Sequence, residues 1–240
     1  MIYILIPIFN EEGNVANLHR ELSTILPDED KMFVFSDDGS TDKTKEFLNS
    51  HFSGTKFTIL GDGSNHGPGY AFNTGFEWIL ANSNNIEKDI VITMEADCTS
   101  DIGILPHMLG INKMGYDLVL ASVYAQGGGF DSTSFIRKFL SSIANLLFRF
   151  LFDLKILTLS SFYRVYSLSL LNKIKKSNSA IITEYGFICM LEILVKAIKE
   201  DAKMIEVPMM LKSKKRVGKS KLKVFKTTMA YFRFLLFKKK

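Results

Sequence analysis

The chain has 240 residues, a formal net charge of +5, 47% hydrophobic residues and two cysteines, Cys98 and Cys189. That length fits one large α/β domain with a substantial core, and two cysteines without metal-ligand spacing exclude a disulfide framework and point to a reducing, cytoplasmic compartment. The basic balance, with a pI of about 9.0, favours an anionic partner, whether a phosphate-bearing ligand, nucleic acid or an anionic membrane surface.

The N-terminus, MIYILIPIFNEE, lacks a basic region and a cleavage site and reaches Pro7 and Glu11-Glu12 too soon for a signal peptide, so 2–8 is expected to be a first strand. Further short apolar runs follow at 32–36, 56–60, 89–95 and 116–122, with helix-like segments near 12–26, 41–51, 68–82 and 102–113 between them. Strands alternating with helical connections predict a mostly parallel sheet covered on both faces. Ligands in such sheets bind beyond the carboxyl ends of the strands. The polar motifs fall there: FNEE after the first strand, SDDGSTD after the second and EADCTSD after the fourth. By itself SDDGSTD also reads as a solvated turn and helix cap.

From about 130 the character changes. GGGFDSTSFIRK reads as a loop leading into FLSSIANLLFRFLFDL, where Ser141, Asn145, Arg149 and Asp153 form one narrow polar stripe at helical spacing. A buried helix and a helix lying in a bilayer interface are both compatible with that stripe. A helix near 184–199 carries Glu192, and MIEVPM is expected to be an edge strand ending at Pro208. The basic tail runs into an amphipathic segment ending in Lys238 to Lys240. No run reaches the roughly 18 to 20 apolar residues a spanning helix needs.

Paired carboxylates at strand ends in a basic protein suit a divalent cation shared with phosphate oxygens, and equally suit hydrogen bonds to a ribose and a base. Both uses point to a nucleotide.

In order along the chain, IPIFNEEGNV, SDDGSTDKT, NHGPGYAFNTGFEW, MEADCTSD, FYRVY, EILVKA and EVPMMLKSKKRVGKSKL resemble the family 2 glycosyltransferases of the GT-A fold, a Rossmann-like α/β nucleotide-sugar-binding architecture. More narrowly they are similar to the dolichyl-phosphate mannose synthase and polyprenyl-phosphate glycosyltransferase branch, over residues 2 to about 224. The resemblance implies a GT-A domain over 1–222, with a nucleotide-sugar half (1–125) and an acceptor half (126–222), followed by a membrane-interface helix over 223–240. It implies that Pro7, Phe9, Asn10, Glu11, Asp37 and Asp38 hold base and ribose. Asp97 and Glu95 would bind Mg2+ or Mn2+, with Glu95 where the family usually has Asp. Arg137, Ser141 and Arg164 would meet the acceptor phosphate, and Arg216, Lys219 and Lys221 would close over the diphosphate. Two departures stand out. Val123 occupies a position that is often Arg in the branch, and Phe162 replaces the glycine usually found before the aromatic-Arg pair.

The implied reaction is inverting transfer of a sugar from a nucleoside diphosphate sugar (GDP-mannose or UDP-hexose) to a polyprenyl or dolichyl phosphate. A phosphate acceptor needs no general base, and LSSFYRVY contains no Asp or Glu to supply one. The alternatives are transfer to a glycan hydroxyl, with Glu184 or Glu192 as base, and a degenerate transferase serving as a membrane-surface binding module. Nucleic acid is not expected as a partner, because the basic residues cluster at the terminus without interleaved stacking positions. The expected location is the cytoplasmic face of a membrane, held peripherally through 139–152 and 224–240 or by a membrane-anchored protein partner.

Overall fold

The computed structural model describes residues 1–131 and 156–218. Arg137, Ser141, Lys219, Lys221 and the two amphipathic segments expected at a membrane lie outside the described residues.

Strand β1 (Ile2–Ile8) pairs in parallel with β2 (Lys31–Asp37) and β4 (Ile90–Thr93), and β2 pairs in parallel with β3 (Phe57–Leu60). Helices α1 (Glu12–Thr24), α2 (Thr44–Phe52) and α3 (Pro68–Asn82) make the connections. A short 3-10 turn (Ile102–Ile104) runs into α4 (Leu105–Lys113), which leads to β5 (Leu118–Ser122). These elements follow the expected alternation, as does the edge strand β8 (Met204–Pro208), parallel to β5.

The sheet is mixed. Between β4 and β5 lies β7 (Arg164–Ser167), antiparallel to both, so the strand order is β3-β2-β1-β4-β7-β5-β8. Helix α5 (Leu168–Ser177) follows directly, capped by Ser167 Oγ accepting the Leu170 N–H at 3.4 Å, and α6 (Cys189–Lys199) leads back to β8. A two-stranded ribbon pairs β6 (Gly129–Phe130) with β9 (Met210–Leu211).

Side chains alternate across a strand, and each face of this sheet carries its own core. Leu5, Val34 and Val91 pack with Phe72, Phe76 and Leu191 on one face, while Ile4, Ile6, Phe33 and Phe35 pack with Val15, Leu18 and Phe52 on the other. Burial on both faces makes the strands continuous apolar runs, which is why they were visible in the sequence. Because β1, β2, β4, β5 and β8 run the same way, their carboxyl ends open onto one rim. The amino end of β7 lies on that rim too, with Arg164 opposite Thr93 and Leu120. Among the described residues, no helix is long and apolar enough to cross a membrane.

Candidate active site

The first two rim loops are laced together by their polar side chains. Pro7 is the penultimate residue of β1, opposite Ser36, and Phe9 follows the strand, partly buried. Asn10 adopts a left-handed backbone (φ 48°), a conformation Asn tolerates better than most residues. Its Oδ1 accepts the Thr41 N–H at 2.8 Å, and its own N–H donates to Ser40 Oγ at 2.9 Å. The Glu11 N–H donates to Thr44 Oγ1 at 2.8 Å. Asn10 and Glu11 thus fasten the end of β1 to the loop after β2.

The crowded carboxylates of SDDGSTD each have a partner. Asp37 is buried and forms an ion pair with Lys45 Nζ at 3.0 Å, while the Ser40 N–H closes the turn onto it. Asp38 accepts the His66 and Gly67 N–H groups at 2.8 and 2.9 Å and the Asn65 amide at 2.9 Å. Burial raises the Asp38 carboxyl above its ordinary value, against the lowering effect of those amides. Asp42 accepts from Thr44 N–H and Oγ1 at 3.0 and 2.5 Å. Asp38 therefore holds the loop that opens α3, and Gly67 must be glycine there. Its φ is 105°, and a Cβ would lie 2.6 Å from the Tyr185 carbonyl oxygen.

After β4, Glu95 and Asp97 diverge. Glu95 accepts from Ser100 Oγ at 2.6 Å and from the Phe162 N–H at 3.3 Å. Burial and the charge of Asp97 hold its carboxyl above the ordinary value. Asp97 Oδ1 accepts from Thr99 N–H and Oγ1 at 3.1 and 2.7 Å, and Oδ2 meets Arg216, with Nη2 at 2.5 Å and Nε at 2.7 Å. The two acids were expected to share a cation. In this structure Glu95 meets the Ser100 hydroxyl and the Phe162 amide while Asp97 meets Thr99 and Arg216, so the oxygens of both acids carry donors. Among the described residues, no group of three or more His, Cys, Asp or Glu side chains is arranged to hold a metal. Asp97 fits a cation delivered with a diphosphate that takes the place of the Arg216 guanidinium, since Mg2+ is commonly held by one or two carboxylates plus substrate phosphates. A guanidinium already stands at its outer oxygen as a cationic substitute.

Arg164, expected at the acceptor phosphate, is held by backbone carbonyls in this structure. Its side chain has no solvent exposure, and its guanidinium donates to the carbonyls of Ser161, Leu159 and Met190 at 2.8, 2.9 and 2.9 Å. The planar fork ties the segment before β7 to α6. Glu192, one of the two alternative bases, is held in place: it accepts the Thr183 and Glu184 N–H groups at 2.9 and 2.8 Å and pairs with Lys196 at 2.9 Å. Val123 is partly buried at the end of β5 and packs against the core. Phe162 packs edge-on to Phe72 and stacks on Phe187, with centroids at 4.9 and 5.7 Å.

Several residues that shape the rim had not been singled out in the sequence. Asn65 and Asn14 act across long separations that leave no linear trace, and Lys45 reaches back across the turn to Asp37. Thr99 and Ser100 lie close enough to the acids, and are of the right type, to have been read as turn-forming partners.

The description Glycosyl transferase family 2 matches residues 3–175. The chain belongs to that family. Among curated members, the polyprenol monophosphomannose synthase of Mycolicibacterium smegmatis is 26% identical over 91% of this chain and 80% of its own length. The dolichol-phosphate mannosyltransferase of Pyrococcus furiosus is 26% identical over 98% of this chain, which spans 62% of that protein. Undecaprenyl-phosphate mannosyltransferase of Micrococcus luteus is 25% identical over 92% of the chain and 87% of its own length. Glucosyl-3-phosphoglycerate synthase of Mycobacterium tuberculosis, solved with Mn2+, UDP and its product, superposes with a TM-score of 0.66 at 17% identity, over 98% of this chain and 77% of that one. That likeness establishes the fold. The family 2 assignment makes the rim of Asn10, Asp38, Asp97 and Arg216 the candidate active site of a glycosyltransferase.

Proposed function

We propose that this family 2 glycosyltransferase moves a sugar, with inversion, from a nucleoside diphosphate sugar to a polyprenyl phosphate. The observation that carries the reading is the Arg216–Asp97 pair at the carboxyl rim of the sheet, a cation and an acid joined where a nucleotide diphosphate would approach. The names of three relatives matched over most of the chain, each a transferase acting on a polyprenyl or dolichol phosphate, support the acceptor class.

In this reading an acceptor phosphate oxygen attacks the anomeric carbon from the face opposite the diphosphate. The bond from that carbon to the diphosphate oxygen breaks with its electron pair, and the nucleoside diphosphate leaves. Asp97 would hold Mg2+ or Mn2+ together with substrate oxygens, and the ion, when bound, would offset charge on the leaving diphosphate. Arg216 adds a planar, permanently charged donor for the same charge. The lacing of Asn10 to 40–42 and the grip of Asp38 on 65–67 preorganise the loops that would flank base and ribose. Phe9 would lie beside the base. An anionic acceptor needs no proton removed, which agrees with Glu192 being held by amides and Lys196 instead of facing the rim. That engagement weighs against Glu192 as the base for a glycan-hydroxyl acceptor.

The split into a nucleotide-sugar half (1–125) and an acceptor half (126–222), the roles of Arg137, Ser141 and Lys221, and peripheral attachment to a cytoplasmic membrane face through 223–240 or an anchored partner belong to the same proposal. The test is a donor screen with a short polyprenyl phosphate, read by mass spectrometry. The expected product is the lipid phosphate plus one hexose mass. Hexose appearing on glycan hydroxyls and never on the lipid phosphate would overturn the acceptor assignment.

A further inference from the structure

Asn14 occupies a position that helical spacing gives to an apolar residue. In α1 it shares the buried face with Val15, Leu18 and Leu22, and it is only 2% exposed. A primary amide on such a face is costly unless its donors and acceptor are matched. Here they are matched by the backbone of Val217, some two hundred residues away. Asn14 Oδ1 accepts the Val217 N–H and Asn14 Nδ2 donates to the Val217 carbonyl, both at 3.2 Å. The remaining Nδ2 hydrogen reaches Glu11 Oε2 at 2.5 Å, and because a carboxylate only accepts, this contact fixes which way the amide faces. Neighbouring Gly13 leaves room for the approach: a Cβ there would stand 3.1 Å from Val217 Cγ1.

Residue 217 directly follows Arg216. The strand-end segment is tethered upstream where the Lys212 N–H donates to the Thr99 carbonyl at 2.8 Å and Lys212 Nζ pairs with Asp101 at 2.9 Å. Lys215 pairs with Glu21 on α1. Between these tethers and the amide clasp, the Arg216 side chain has one short reach, to Asp97.

We infer that Asn14 is a positioning residue for sugar transfer: its side-chain amide clasps the peptide of Val217 and so sets Arg216 at the diphosphate side of the site. The inference rests on the transferase reading for its catalytic consequence, while the clasp itself is a property of the fold. Asn suits this task and Asp does not. An acid would match the Val217 N–H but would face the Val217 carbonyl and Glu11 with no donor.

The test uses the full chain and the variants Asn14→Ala, Asn14→Asp, Val217→Pro and Arg216→Ala. Val217→Pro removes the same N–H from the exposed side, and so provides a route if α1 does not tolerate substitution. Hydrogen exchange of peptides covering 209–217 should speed up roughly tenfold in Asn14→Ala and in Val217→Pro, as expected for a lost hydrogen-bond pair, with the sheet peptides unchanged. In Arg216→Ala the Val217 amide should stay protected. On the transferase side, Asn14→Ala should lower kcat/KM nearly as far as Arg216→Ala, and the double variant should be no worse than Arg216→Ala alone, because one residue acts through the other. Unchanged exchange at 209–217 in both Asn14→Ala and Val217→Pro would overturn the clasp. Additive kinetic losses would overturn the positioning role. If no donor and acceptor pair turns over at all, the transferase reading fails, and the exchange measurements still decide the clasp.

Discussion

The Phe162 N–H donates to Glu95 Oε1 at 3.3 Å, so two of the three departures from the family pattern read in the sequence, Glu95 and Phe162, touch each other. A glutamate is one carbon longer than the aspartate usual at its position, and that carbon carries the carboxylate to the amide at the start of the β7 segment. Ser100 takes the other oxygen at 2.6 Å. Glu95→Asp should withdraw from Phe162 and free a buried N–H, costing about 1 to 3 kcal/mol. For a chain of this size the expected fall in Tm is roughly 2 to 4 °C per kcal/mol, measurable by circular dichroism. A variant with unchanged Tm and raised turnover would instead mean that the glutamate is a handicap at a metal corner.

Arg164, expected at the acceptor phosphate, is buried and bonded to backbone. With three carbonyls on its guanidinium and no solvent exposure, it works as a buried brace. Lysine cannot span three acceptors in one plane, and it would leave carbonyls unmatched in the core. Arg164→Lys should lose about 1 to 3 kcal/mol for each carbonyl left unmatched, seen as a lower urea midpoint, with the KM for acceptor unaffected in whatever folded fraction remains. A stable variant with a weakened acceptor KM would return Arg164 to the acceptor site.

The contrast between Asp38 and Arg164 explains what the sequence disclosed. Strands β1, β2, β4 and β5 are apolar runs largely buried on both faces, and the acids after β2 stand out because three carboxylates fall within six residues. β7 was harder to see. It is four residues long, starts with a charged residue and runs antiparallel between two parallel neighbours, so neither periodicity nor alternation marked it. An arginine next to aromatic residues reads as a phosphate ligand until the backbone carbonyls that receive it are known, and those come from two separate segments, 159–161 and the start of α6. Asp37 and Asp38 were legible as a pair, but their division of labour depends on Lys45 and on the amides of 66 and 67, which only the folded rim brings near.

Asp97 should govern dependence on a divalent cation. Asp97→Ala should reduce transfer by roughly a hundredfold or more, the scale of losing one electrostatic contact to a developing charge. Its Tm should change little, since the side chain lies on the rim. Chelator should abolish activity of the parent and Mn2+ should restore it. A second readout is calorimetric: nucleoside diphosphate should bind the parent more tightly with Mn2+ than without, and this difference should vanish in the variant. Equal activity of parent and variant in excess chelator would remove the ion from the mechanism.

Glu192 should make both stability and activity sensitive to acid. Burial by itself would raise its carboxyl, but Thr183, Lys196 and the Glu184 amide outweigh that and hold it below the ordinary glutamate value. A group whose folded value is depressed contributes stability above its unfolded value of about 4.5, and that contribution is lost as pH falls through the folded value. The consequence reaches the rim through contiguous contacts. Glu192 fixes residues 183 and 184, the Gly69 N–H donates to the Tyr185 carbonyl at 2.8 Å, and a Cβ on Gly69 would lie 1.8 Å from the Glu184 carbonyl oxygen. The start of α3 therefore rests on the segment Glu192 holds, and Asp38 grips the loop just before it. Glu192→Gln should lose about 3 kcal/mol at pH 7, because Lys196 is left without its buried counter-charge. Denaturant midpoints taken from pH 7 down to pH 3 should converge for parent and variant as the parent's carboxylate protonates. In the same range the donor KM of the parent should rise before its global unfolding begins, whereas that of the variant should not. Parallel stability curves, with a constant gap across the whole range, would show that Glu192 is not the titrating group and that acid sensitivity arises elsewhere in the chain.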